Sequence, residues 1–145
     1  MTEAESKEKT TISVVYCKPG ERAETVEMED SLRAMQEMVG GRIEEYMPWE
    51  EEVAIICNEE GKMMGLPLNR GIKDDKGQLQ DIIAGDFFIC YAPIESEKFL
   101  SMPPELEEKY LKKFEMPEMF FRDGGTIRSE KYEPMKSEPA RDYAR

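Results

Sequence analysis

Apolar positions in this chain come in short runs separated by turn residues, a spacing that predicts more strands than helices. Residues 11–17, TISVVYC, alternate and are rich in β-branched and aromatic side chains, so they predict a first strand. Lys18-Pro19-Gly20 reads as a turn, and residues 22–28 as a short second strand with an imperfect period. Leu32, Met35, Met38 and Val39 share one helical face. Asp30 is the expected N-cap of that helix and Gly40-Gly41 its stop.

Residues 42–47 form the next strand candidate, which Pro48 and Trp49 interrupt. Residues 53–57, VAIIC, are apolar on both faces and predict a strand covered on both sides. Asn58-Glu59-Glu60-Gly61 is expected to close a bulged hairpin with Gly61 left-handed and residues 62–66 as the returning strand. Asp74-Asp75-Lys76-Gly77 is a second turn, and residues 81–85 lead into 87–91, FFICY, the strongest strand signal. A last helix is expected over 103–114, starting at Pro103-Pro104 and lining up Leu106, Tyr110, Leu111 and Phe114. Met119-Phe120-Phe121 then packs back on the sheet. The fold class that follows is α+β: a small, mostly antiparallel sheet of about five strands packed by two helices. Residues 1–10 read as a disordered tail, 11–121 as one domain, and 122–145 as a flexible, charged tail.

Composition narrows the chemistry. The chain of 145 residues has no histidine, which removes the commonest general base and every Ser-His-Asp or Cys-His pairing. Cys17, Cys57 and Cys90 all sit in apolar runs, outside any C-x-x-C pair, and read as buried, reduced thiols. The polar start MTEAESKEKTT lacks a secretory core, and the longest apolar run is 87–94, too short to span a bilayer. A cytoplasmic protein without membrane contact is therefore expected. Phosphate-binding glycine motifs are missing, and Asp74, Asp75 and Asp81 around Gly77 lack the alternation of a calcium loop. No metal, no cofactor and no enzymatic activity are expected.

Charge is the strongest remaining signal. Of the formal net charge of −12, residues 21–60 carry −10, from 13 acids against three bases. That segment is either a solvated face or a surface for a basic partner, and it disfavours direct nucleic-acid binding. The partner-binding candidates are Trp49, Glu50, Glu51, Glu52, Glu59 and Glu60, with Trp49 either a core lid or a contact anchor. Asn69 and Arg70 are the ligand-binding candidates. Arg70 would make either a structural salt bridge or an anion clamp built on its guanidinium fork.

The succession VGGRIE (39–44), ICNEEGK (56–62), GLPLNR (65–70), DIIAGDFFI (81–89) and KYLKKFEMPEMF (109–120) resembles domain-of-unknown-function family 3846. That family comprises short proteins of phages, plasmids and integrative elements. The resemblance implies an accessory protein of a mobile element that acts on host machinery. It assigns no catalytic or binding residue. The function expected is a non-enzymatic protein-interaction module working through an acidic surface, in the sharpest version by mimicking DNA against a basic host protein. The alternative is a small-ligand or nucleotide-binding protein. The oligomeric state is left open.

Overall fold

A computed structural model describes residues 10–134. Its centre is a five-stranded antiparallel sheet in the order β2-β1-β7-β4-β3. The strands are β1 (Thr11–Cys17), β2 (Glu24–Glu29), β3 (Ile43–Tyr46), β4 (Val53–Asn58) and β7 (Phe87–Tyr91). Two further hairpins stand outside this sheet: β5 (Leu68–Lys73) with β6 (Leu79–Ala84), and β8 (Glu118–Asp123) with β9 (Thr126–Lys131). The helices are α1 (Leu32–Val39) and α2 (Pro104–Lys113). Among the described residues no helix is long and apolar enough to cross a membrane.

Both faces of the sheet are covered, which explains why β4 and β7 are apolar without alternation. On one face Val15, Cys17, Ile55, Cys57, Phe87 and Ile89 pack under Ile72 and Ile83 of the β5–β6 hairpin and Tyr110 and Phe114 of α2. On the other, Ile12, Val14, Ala54, Ile56, Phe88 and Cys90 pack under Met35 and Val39 of α1. Pairing follows the period of two: Ile55 lies opposite Ile89 on one face, and Ile56 opposite Phe88 on the other.

Several sequence expectations are corrected. The N-cap of α1 is Ser31, whose hydroxyl accepts from the Ala34 amide; Asp30 lies one residue earlier. Gly40 ends the helix with φ of 81°, as expected of a glycine C-cap. Residues 62–66 form no strand, and Gly61 is not left-handed; Gly65 is, at φ 74°. Gly61 is needed for space instead, since a Cβ there would lie 2.7 Å from the Ala84 carbonyl oxygen. The strand begins only after Pro67, at Leu68, and pairs with β6 rather than β4. Beyond Phe121 the chain does not become a tail at once. Arg122 and Asp123 complete β8, Gly124 turns at φ 67°, and β9 pairs back along six positions. Arg22 bridges this region to the β1–β2 turn, with ion pairs to Glu115 and Glu133 at 3.0 Å each. Most of the N-terminal tail (1–9) and the end of the C-terminal one (135–145) lie outside the described residues.

Candidate functional site

The structure separates the polar residues singled out in the sequence into three places. Asn69 and Arg70 are fully buried. Leu68 pairs with Ala84 and Arg70 with Ile83, so Asn69 is the extra residue of a β-bulge. Its amide donates to the carbonyls of Cys17, at 3.0 Å, and Gly85, at 2.8 Å. The Arg70 guanidinium makes five hydrogen bonds, as many as it has donors. Nε and Nη2 donate to the Phe114 carbonyl at 3.1 and 2.9 Å, Nη2 also to Glu21 O at 2.7 Å. Nη1 donates to Lys18 O at 3.3 Å and to Asn69 Oδ1 at 2.9 Å. Burial pulls the Arg70 pKa down from its usual value. In place of the expected salt bridge, the cation is held by backbone dipoles and ties the β1–β2 turn and the end of α2 to β5.

Trp49, Glu50 and Glu51 line a cleft of about 550 Å³ with Lys73, Asp74, Asp75 and the α2 residues Lys109, Tyr110 and Lys113. Trp49 is half-buried against α2, its ring 4.9 Å from Tyr110 and 6.0 Å from Phe114. Lys113 Nζ sits 5.7 Å from the indole centroid. Trp49 is thus a lid on the core whose outer face already carries a cation. Lys109 Nζ donates to Glu51 at 2.8 Å and the Tyr110 hydroxyl donates to the same carboxylate. Asp74 accepts from the amides of Lys76 and Gln78, closing its own turn. Among the described residues no group of three or more acidic or cysteine side chains is arranged to hold a metal ion.

Lys109 first, then Tyr110, hold the Glu51 carboxyl below its usual range. A group with a depressed folded-state pKa stabilises the fold above its unfolded pKa and loses that contribution as pH falls through the folded value. Glu51→Gln is therefore expected to lower the urea midpoint at neutral pH, with the gap closing as pH falls through and below the depressed folded-state pKa of Glu51. A gap that persists undiminished in acid would show that packing, not charge, links Glu51 to α2.

Glu59 and Glu60 lie elsewhere. Glu50–Glu52 precede β4 and Glu59–Glu60 follow it, so the six-residue strand holds the groups about 20 Å apart. Glu59 pairs with Arg42 at 3.4 Å. The thirteen acids of residues 21–60 thus form no single ridge. Five lie on the two edge strands, Glu24, Glu27 and Glu29 on β2 and Glu44 and Glu45 on β3, and the other eight in α1, turns and loops. None of the thirteen is buried.

A third feature had no signal beyond the helical period of Leu32 and Met35. An open groove of about 700 Å³ lies beside α1, with Leu32, Met35, Ile43 and Phe99 among its lining together with the acids Asp30 and Glu97. Sequence patterning missed it because its far wall, 97–99, is irregular loop.

The thiols complete the inventory. Burial raises Cys17 and Cys57 to about 12 and Cys90 higher still, so all three stay protonated and unreactive at neutral pH.

Fold and surface together define a small α+β domain, covered on both faces of its sheet, with the carboxylates of residues 21–60 outside and, among the described residues, one buried guanidinium held almost wholly by backbone carbonyls. A family model described as "Domain of unknown function (DUF3846)" matches residues 12–115, well over half of the chain. The chain belongs to that family. No curated protein and no solved structure matches it.

Proposed function

We propose that the chain is a non-enzymatic interaction module, carried by a phage, plasmid or integrative element, that binds a basic surface of a host protein in the cytoplasm. The carrying observation is where the carboxylates of residues 21–60 lie: nine of thirteen are exposed and none is buried. Three of the nine, Glu21, Glu37 and Glu59, sit in exposed ion pairs of little energetic weight, and none is held inside the fold as Arg70 is. Charge left in water on both sheet edges discourages pairing with another acidic copy and attracts cations at longer range. The spread over two edges favours attraction to a basic partner over mimicry of one duplex, which needs acids along a single ridge. The mobile-element setting draws on the ordered motifs shared with the family.

Nucleotide or small-ligand binding draws no support from Asn69 and Arg70, whose donors are already used inside the fold. The test is capture from a host lysate at about 0.1 M and about 0.5 M salt. A captured protein with a basic face, released at the higher salt, is the expected result. Retention unchanged by salt would refute electrostatic docking.

A further inference from the structure

The groove beside α1 combines apolar anchors with an excess of acids in its lining. Leu32 is 59% exposed although it stands in the first turn of a helix whose other apolar residues pack inward. It shares the lining with Met35, 4% exposed, and with Ile43 and Phe99, both half-buried. The lining carries Glu29, Asp30 and Glu97 against the single cation Lys98. The helix N-terminus beside it does not reverse that sign, because Ser31 Oγ already accepts the Ala34 amide.

We infer that this groove is the docking site for a short extended segment of a partner protein, one that presents an aliphatic side chain between arginines or lysines. The inference rests on the reading of the chain as an acidic interaction module and gives that reading a location and a recognition chemistry. From α1 the lining takes only Leu32 and Met35, next to the N-cap Ser31, a footprint that suits a short segment. An aliphatic side chain entering between Leu32 and Phe99 removes apolar surface on both partners from water. Flanking guanidinium groups meet Asp30 and Glu97 of the lining, which fixes register and speeds encounter. A second copy of this chain is a poor occupant, because its sheet edges bring carboxylates to an acidic lining. The chain's own residues 1–9 are equally unsuited, with three glutamates against two lysines.

The test is a backbone-amide NMR titration of the full chain with a synthetic hexapeptide of alternating arginine and leucine. A serine-for-leucine version serves as comparison. The expected result is that shifts concentrate at Leu32, Met35, Ile43 and Phe99 with the leucine peptide only. Leu32→Gln should weaken that peptide by about tenfold, as loss of an anchor does. Glu105→Gln combined with Glu108→Gln, exposed on α2 over the opposite face of the sheet, should change it by less than about twofold. Salt-sensitive binding of both peptides with shifts spread over the edge-strand glutamates would overturn the groove assignment and leave the acidic module standing. No salt-sensitive binding of either peptide would overturn both. Contacts between residues 1–9 and Phe99 in the free chain would also overturn it, by making the chain's own segment the occupant.

Discussion

Replacing Arg70 by methionine is expected to lower the free energy of unfolding by about 3 kcal/mol. Methionine keeps much of the stem and packing volume, so the loss isolates the guanidinium. Four acceptors lose the guanidinium: the carbonyls of Lys18 (which keeps the Glu21 amide), Glu21 and Phe114, and Asn69 Oδ1. The Lys18 and Glu21 carbonyls are only partly enclosed and can turn to water. The Phe114 carbonyl, which accepts two of the five bonds, and Asn69 Oδ1 cannot, and each buried unpaired acceptor costs about 1–3 kcal/mol. Relief from desolvating a cation works in the opposite direction. It does not win, since the orphaned groups stay inside. Arg70→Lys is expected to lose almost as much, because one ammonium has three donors on a point and cannot span this fork. Urea unfolding measures the loss. Amide exchange at residues 18–23 and 114–118 measures whether the turn and the end of α2 come loose together. A cost below about 1 kcal/mol, with protection unchanged there, would show that the fold does not depend on this fastener.

That fastener also marks the limit of what the sequence reveals. The strands at 11–17 and 87–91 were legible because their apolar runs exceed anything a loop requires. The end of α1 was legible because Gly40 takes a left-handed conformation that other residues resist. Asn69 and Arg70 looked like pocket residues because 66–68 read as the end of a strand, where a polar side chain can face a cavity; they stand instead inside the strand Leu68–Lys73. What reverses this is the bulge at Asn69, and a bulge depends on the partner strand's register, which no local pattern encodes. The β8–β9 hairpin was missed for the opposite reason. Glu118 is its one buried residue, so its strands carry too little alternation to be told from a charged tail. Of the candidate site, the exposure of Glu50, Glu59 and Glu60 follows from their charge, and of the two readings of Trp49 the packing on Tyr110 and Phe114 is that of a lid. The separation of the acids by the length of β4, and the groove walled by 97–99, come from topology.

The double covering of the sheet yields the other large effect. Phe87 and Phe88 are consecutive on the middle strand and therefore point to opposite faces. In a sheet with one wet face, truncating one of them would be nearly neutral. Here both are fully buried. Phe87 meets Phe114 of α2 edge-on at 5.9 Å, while Phe88 packs among Val14, Ile56 and the α1 residues Met35 and Val39. Phe87→Ala and Phe88→Ala are each expected to cost about 3–5 kcal/mol, the range for deleting a buried phenyl ring. Either loss is a large share of a domain's stability, so leucine replacements provide the graded version, with smaller losses of similar size at the two positions. Denaturant midpoints at constant slope decide it. The faces should differ in what loosens: Phe87 variants should release protection in α2, and Phe88 variants in α1. Since α1 forms one side of the acidic groove, Phe88→Leu should weaken a groove-bound peptide where Phe87→Leu leaves it unchanged. Equal weakening by both would mean that the peptide depends on the stability of the whole fold rather than on the position of α1.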